Sequence, residues 1–225
     1  MATSGTATFN LDFEELIEEA YERCGIETRT GFEMRTGRRS LNLMFMDWAN
    51  RGLNLWTIEQ RSLELVAGTA QYDLPADTVN ILSAVVRTGS GTTQQDITLD
   101  RISQNEYLHV PDKLVQARPS QYFLQRTNTP VLFIYPAANA TSMYTFQYYA
   151  IRRIQDVGAY GNTSDVVFRF IPALAAGLAY YLSLKKAPER TTMLKQLYEE
   201  EFMRAASEDR DTASVYLTPE ISVGG

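Results

Sequence analysis

The sequence contains a single cysteine, Cys24, and a single histidine, His109. One cysteine excludes an internal disulfide, and one residue of each type excludes a zinc site built from Cys and His ligands. No serine or cysteine motif of the nucleophile type accompanies His109. We therefore predict no catalytic residue, no metal site and no cofactor, and we interpret Cys24 as a small buried thiol.

Basic residues are also scarce. The chain has 21 Lys and Arg against 27 Asp and Glu, a formal net charge of −6. Proteins whose main task is to grip nucleic acid do so with basic residues that displace counterions from phosphates. The negative balance argues against that task, although it would suit a passage through which DNA slides.

The sequence lacks an apolar run that could cross a bilayer. The most apolar stretch, 171–184, would form a helix only roughly 20 Å long with charged residues at both ends. The first eight residues have neither the basic start nor the apolar centre of a secretion signal. We expect no membrane partner. We also expect the protein to be made in a cytosol, where it either stays or is assembled into something larger.

Apolar residues at helical spacing predict four helices, two near each end of the chain. The first begins at a capping box formed by Asp12 and Glu15. The second covers 33–54, and its predicted buried face consists of Leu41, Phe45, Trp48, Ala49, Gly52 and Trp56. The third, 171–184, is apolar almost all the way round, so it should be buried on most sides. The fourth, amphipathic and ending near 206, follows a short connection and should lie antiparallel to the third.

The hydrophobic period changes to 2 between the two helical pairs. Short β-rich runs, separated by Gly, Pro and Asn turns, predict antiparallel strands near 58–65, 71–75, 79–88, 96–100, 121–126, 131–135 and 143–152. The second of these should return along the first after a turn at Gly68 and Thr69. The predicted fold is α+β, a bundle of about four helices from the N- and C-terminal parts with an inserted antiparallel β domain. The predicted domains are a bundle of 9–56 and 168–208, a β domain of 57–157 and a C-terminal tail of 209–225.

The first two helices carry opposite charge. The first has an acidic strip, and the second carries Arg35, Arg38, Arg39 and Arg51. Three interpretations of these arginines stay open: solvent exposure with pairing to the first helix, contact between subunits, and contact with nucleic acid. Adjacent glutamates on a helix point in different directions, which favours solvated faces over an acid/base pair.

Three parts of the chain resemble the head-to-tail adaptor, or connector, proteins of short-tailed bacteriophages, of the tail-tubular-protein-A type. These parts are LNLMFMDWANRGLNLW at 41–56, GTAQYDLPAD at 68–77 and the closing helix pair. The resemblance implies a structural virion protein of the neck, assembled in the bacterial cytoplasm, and no enzyme. It also implies a homo-oligomeric ring of twelve subunits beneath the portal protein, through which genomic DNA passes without specific binding. The next partner would be a tail nozzle or tail tube protein, with tail fibres as a further contact.

A closed ring repeats one head-to-tail interface, so each subunit needs two different, complementary faces. We predict that acidic residues of one subunit face basic residues of the next. The predicted interface residues are Glu15, Glu18 and Glu22 on one side and Arg35, Arg38 and Arg39 on the other.

The resemblance also implies a C-terminal arm that reaches the portal. In this sequence the segment after Arg210 is short, so we predict a shallow strand or hook formed by Val215, Tyr216, Leu217 and Ile221. Two alternatives remain for the whole chain: another neck or tail-tube structural protein, and a cell-wall hydrolase with a carboxylate pair.

Overall fold

The structure, a computed structural model, describes residues 5–6, 9–27, 31–51 and 55–209. Within these ranges the helices are α1 (Phe13–Arg23), α2 (Gly31–Asn50), α3 (Gln104–Leu108), α4 (Ile171–Lys186) and α5 (Thr191–Glu208). The strands are β1 (Ile58–Glu64), β2 (Gln71–Asp73), β3 (Thr78–Thr88), β4 (Gln95–Thr98), β5 (Asp100–Arg101), β6 (Gln116–Ala117), β7 (Gln121–Gln125), β8 (Val131–Tyr135), β9 (Ala137–Ala138) and β10 (Tyr144–Arg152). The four long helices come from the two ends of the chain and the strands lie between them, which confirms the predicted α+β class.

Helix α1 begins as its sequence predicts. The carboxylate of Asp12 accepts a hydrogen bond from the backbone N–H of Glu15 at 2.8 Å, and the carboxylate of Glu15 accepts from the N–H of Asp12 at 3.2 Å. This reciprocal pair satisfies two of the N–H groups that a helix start leaves free. After the helix, Gly25 adopts φ +73°, the left-handed conformation that glycine favours just past a helix end.

Helix α2 differs from its prediction in its bounds and in one buried position. It begins at Gly31, two residues before the predicted start, and ends at Asn50; residues 52–54 lie outside the described ranges. Ala49 was predicted to be buried and is exposed, whereas Met44 is fully buried. The buried face is set by the spacing of Leu41, Met44 and Trp48, and Ala49 lies one residue beyond that face.

Helix α4 is the centre of the bundle. It packs against α1, α2 and α5, so helices from the two ends of the chain share one core. Pro172 occupies its first turn, where a missing N–H is tolerated. Gly177 allows the closest approach, because a Cβ there would lie 2.5 Å from the sulfur of Met44 and 2.7 Å from the ring of Tyr198.

Trp48 joins α2 to the other helices of this core. Its ring lies 5.6 Å from that of Phe170 and 5.3 Å from that of Phe202, measured between centroids. Its Nε1–H donates a hydrogen bond of 2.7 Å to the hydroxyl of Tyr198. Burial raises the pKa of the Tyr198 phenol well above its usual value, which keeps the hydroxyl neutral.

The strands form two four-stranded sheets, ordered β1-β10-β3-β4 and β2-β8-β7-β5, and a short pair, β6-β9. Strand β2 was predicted to return along β1, but it pairs with β8 in the other sheet. The run predicted at 96–100 is divided at Leu99, which is buried where the chain passes from β4 in one sheet to β5 in the other. The β5-β7 and β6-β9 pairs are parallel, in an arrangement that is otherwise antiparallel.

Buried residues of the described ranges form two clusters, one in the bundle and one between the sheets. The aromatic rings of Tyr122, Phe146 and Tyr148 belong to the second cluster. The segment after β10 contributes Ile154 and Val157 to the bundle cluster, and the N–H of Val157 donates to the side chain of Asn42 at 3.0 Å. The division of the chain into domains at residues 57 and 157 stays a prediction.

Candidate functional site

A groove runs along the exposed side of α1, between this helix and the start of α4. Its volume is about 520 Å³, and Glu15, Glu18 and Glu22 stand along its rim. Glu19 and Arg23 also line the groove, and its apolar lining, which we call the floor, consists of Phe9, Leu11, Ile171, Pro172 and Ala175. We call this feature the acidic groove.

The three predicted glutamates of the acidic groove are exposed, but they are not equivalent. Glu15 is held by the capping box at the start of α1. Glu18 and Glu22 form no hydrogen bond or ion pair through their carboxylates within the described part of the chain, whereas the neighbouring Glu19 pairs with Arg23 at 2.7 Å. Glu18 and Glu22 are therefore the two carboxylates of the predicted set that are available to a partner.

A second groove, of about 550 Å³, lies on the outer face of α2. Its lining includes the exposed side chains of Arg35, Arg38 and Arg39 together with Phe32 and Asn42. These positions follow helical spacing on the side opposite to the buried Leu41 and Met44 face. We call this feature the basic groove.

The guanidinium groups of the basic groove have few partners. Arg35 Nε donates to the carbonyl of Gly31 at 3.2 Å. In the described ranges, no ion pair joins Arg35, Arg38 or Arg39 to a carboxylate of α1. The nearby Lys185 has its pKa lowered by burial and by the positive charge of Arg39, which indicates an electropositive surface.

Arg51 does not belong to this surface. It binds Asp47 at 2.8 Å and Glu199 at 2.8 Å, and its guanidinium lies 4.8 Å from the ring centroid of Tyr198. This arginine stabilises the α2–α5 contact within one subunit, so the basic groove depends on Arg35, Arg38 and Arg39.

A protein-family model described as SU10 adaptor protein matches residues 12–220. The chain belongs to the SU10 adaptor protein family. The match spans both helical pairs, the strands between them and part of the tail. The predicted class of bacteriophage adaptor, a structural protein of the virion neck, is confirmed at this level, and the tail-tubular-protein-A type stays a prediction. No curated protein gives a significant match.

The single histidine and the single cysteine of this SU10 family adaptor lie apart from both grooves. His109 is exposed at the end of α3, with its Nδ1 2.7 Å from the carbonyl of Asn105. Cys24 is buried and its thiol lies 3.3 Å from the carbonyl of Ala179; burial raises the pKa of this thiol. Among the residues that the structure describes, no group of three or more His, Cys, Asp or Glu could hold a metal ion.

None of the described helices has the length and apolar character needed to cross a membrane. The predicted docking residues Val215, Tyr216, Leu217 and Ile221 lie outside the described ranges, although the family match reaches residue 220.

The last described residue, Asp209, is one that sequence reasoning missed. Its side chain is buried, and its carboxylate accepts a hydrogen bond of 2.8 Å from the backbone N–H of Leu55. A second carboxylate oxygen lies 3.3 Å from Arg169. Asp209 stands in a polar run that is typical of exposed segments, so no local pattern predicts this contact. It holds the start of the C-terminal tail beside the junction between α2 and β1.

Proposed function

We propose that this SU10 family adaptor is of the tail-tubular-protein-A type and forms a ring of twelve subunits that docks under the portal protein. In this proposal the ring extends the DNA channel and provides the platform for a tail nozzle or tail tube protein. The observation that carries it is the presence, on one subunit, of two grooves of opposite charge.

The location of the two grooves supports an interface between subunits. The arginines stand on the face of α2 that points away from the core, whereas the glutamates stand on α1, next to the start of α4. Neither Glu18 nor Glu22 is paired with Arg38 or Arg39 in the described part of one chain. A head-to-tail ring requires two such complementary faces, since the same contact is repeated until the ring closes.

Charge at this interface would serve mainly to fix register. A single exposed ion pair contributes only about 0–1 kcal/mol, but complementary charge speeds association and disfavours wrong contacts. The net charge of −6 fits a channel whose lumen is negative on balance, so that DNA phosphates meet no adhesive surface during packaging and ejection.

A mass measurement on the full chain, alone and mixed with purified portal protein, tests the proposal. We expect a monomer of 25.4 kDa alone and one ring of twelve copies per portal when both are present. The measurement can be made by native mass spectrometry, with the portal protein alone as the reference. A chain that shows no association with portal would contradict the proposal, and a different stoichiometry would contradict the twelvefold ring.

The proposed docking role of the tail gives a second prediction. Deleting 215–225 should leave a folded monomer that no longer binds portal. The monomer should fold because the buried residues of the described bundle core end at Ala205, before the deleted segment. Circular dichroism and urea unfolding would report the fold, and co-sedimentation with portal would report docking. Undiminished portal binding would refute the docking role, and loss of folding would show that the tail is structural.

A further inference from the structure

Both grooves contain apolar groups beside their charged residues. What these groups indicate rests on the proposed ring. A contact made of charge alone would need no apolar surface, yet the floor of the acidic groove offers some: Phe9 is 77% exposed, although Ile171 and Ala175 are buried. Pro172 in the same floor is exposed, so part of this apolar surface is open in a single subunit. An apolar centre inside a polar rim is the usual anatomy of a protein–protein contact.

The basic groove carries the matching feature, an aromatic side chain that its own subunit leaves uncovered. Phe32 is 58% exposed, whereas Phe45 and Trp48 of the same helix are buried. Its ring has Lys186 Nζ at 5.9 Å from the centroid, and Arg35 and Arg39 follow it at helical spacing along α2. Phe32 is thus an apolar group surrounded by cations.

We infer that Phe32 of one subunit inserts into the apolar floor of the acidic groove of the next subunit. The occupant of the groove is therefore a second copy of this chain. A fully buried aromatic side chain hides on the order of 150–250 Å², and the contact would cover the 58% of Phe32 that its own subunit leaves exposed. Central aromatic anchors are common hot spots of binding energy.

The spacing of the charged residues fits this insertion. Glu18 and Glu22 stand four residues apart on α1, and Arg35 and Arg39 stand four residues apart on α2. Side chains four residues apart on a helix are neighbours on one face, roughly 5–6 Å from each other. With Phe32 in the floor, one helical turn of arginines can face one helical turn of glutamates, so the aromatic ring supplies affinity and the charges supply register.

Cross-linking between cysteine variants tests this contact. Full-length Gly31→Cys and Pro172→Cys chains would be mixed in equal amounts with portal protein and treated with a short bismaleimide; Gly31 is exposed next to Phe32, and its replacement keeps the inserting ring. Because each chain carries one exposed cysteine of the pair, a product between the two variants must join different subunits. Native Cys24 is buried and can stay. We expect covalent dimers from this mixture, with a yield at least about tenfold above that of a Gly31→Cys and Met203→Cys mixture, since Met203 is exposed on α5 away from both grooves.

A third mixture, Arg38→Cys with Glu18→Cys, separates this inference from the proposed function. If this mixture cross-links and Gly31→Cys with Pro172→Cys does not, the charged interface stands and the insertion of Phe32 is overturned. If neither mixture cross-links while a ring forms on portal, both the charged interface and the insertion are wrong.

The loss of the ring itself provides a second readout. Phe32→Ala should leave the unfolding midpoint of the monomer unchanged and reduce ring formation at least about tenfold, because truncation of a central aromatic anchor commonly costs more than 1 kcal/mol. Leu43→Ala is the matched control, since Leu43 is exposed on the same helix and does not line the basic groove. Equal ring formation by the Phe32→Ala and Leu43→Ala proteins would overturn the inference.

Discussion

Replacement of Trp48 by alanine is expected to lower the free energy of unfolding by about 3–5 kcal/mol, the range for removing a large buried aromatic side chain. Trp48 is fully buried, and its ring packs against those of Phe45, Phe170 and Phe202. The loss would remove a large part of a net stability that is only about 5–15 kcal/mol for a typical domain. Urea unfolding followed by far-UV circular dichroism, whose signal does not depend on tryptophan fluorescence, would measure this loss of free energy.

A graded series distinguishes the hydrogen bond of Trp48 from its packing. Tyr198→Phe keeps the buried ring but leaves the indole N–H without its acceptor, which should cost about 1–3 kcal/mol. Met46→Ala, two positions before Trp48 on the exposed face of α2, is the control and should change stability by at most about 0.5 kcal/mol. If Trp48→Ala lowers the free energy of unfolding no more than Met46→Ala does, Trp48 does not hold the bundle together.

The second large effect is expected from charge reversal at the proposed interface. In the Glu18→Lys/Glu22→Lys variant, lysines would face the arginines of the neighbouring subunit, and facing like charges cost several kcal/mol. We expect association at each interface to weaken at least about 100-fold, so that no ring forms on portal. Glu15 is left unchanged because its carboxylate caps α1, and its reversal would confuse assembly with helix stability.

Restoration by mixing makes this prediction specific. The Arg38→Glu/Arg39→Glu variant should also fail to form a ring alone. An equal mixture of the two variants should form one, because every interface then joins either the two reversed faces or the two native faces. Such a ring must alternate the variants, so it closes only with an even number of subunits, as twelve is. Native mass spectrometry would show six copies of each variant in the predicted dodecamer.

The control for charge itself is a variant of α5. Glu200→Lys/Glu208→Lys makes the same change in net charge at exposed positions outside both grooves, and its ring should form normally. If the Glu18/Glu22 variant assembles as well as this control, the pairing of the two grooves is refuted. If the two reversed variants fail to assemble even when mixed, the two surfaces do not face each other.

Local features of the fold were predictable from sequence because their causes are local. The capping box of Asp12 and Glu15 depends on a spacing of three residues, and the burial of α4 follows from apolar residues on all its sides. Pairing of strands was less predictable. The turn at Gly68 suggested that β2 returns along β1, but hydrogen-bonding partners on β8 lie far along the chain and leave no local pattern.

In the candidate site, too, the features with local causes were predictable and those that depend on distant residues were not. The exposure of Glu18, Glu22, Arg38 and Arg39 follows from helical periodicity and was predicted. The apolar floor was not, because it forms only when the fold brings Ile171 next to Leu11, two residues from opposite parts of the sequence. The separation of Arg51 from the other arginines was missed for the same reason, since its partner Glu199 comes from α5.

The contact of Asp209 with Leu55 has a mechanical consequence. Tension on the chain beyond residue 209 would reach the molecule at two points, the last turn of α5 through the carbonyl of Ala205 and the backbone amide of Leu55. Leu55 lies three residues before Ile58, the first residue of the outer strand β1. A load applied to the tail would therefore be shared between a helix and a sheet edge, and α5 would resist unwinding from its end.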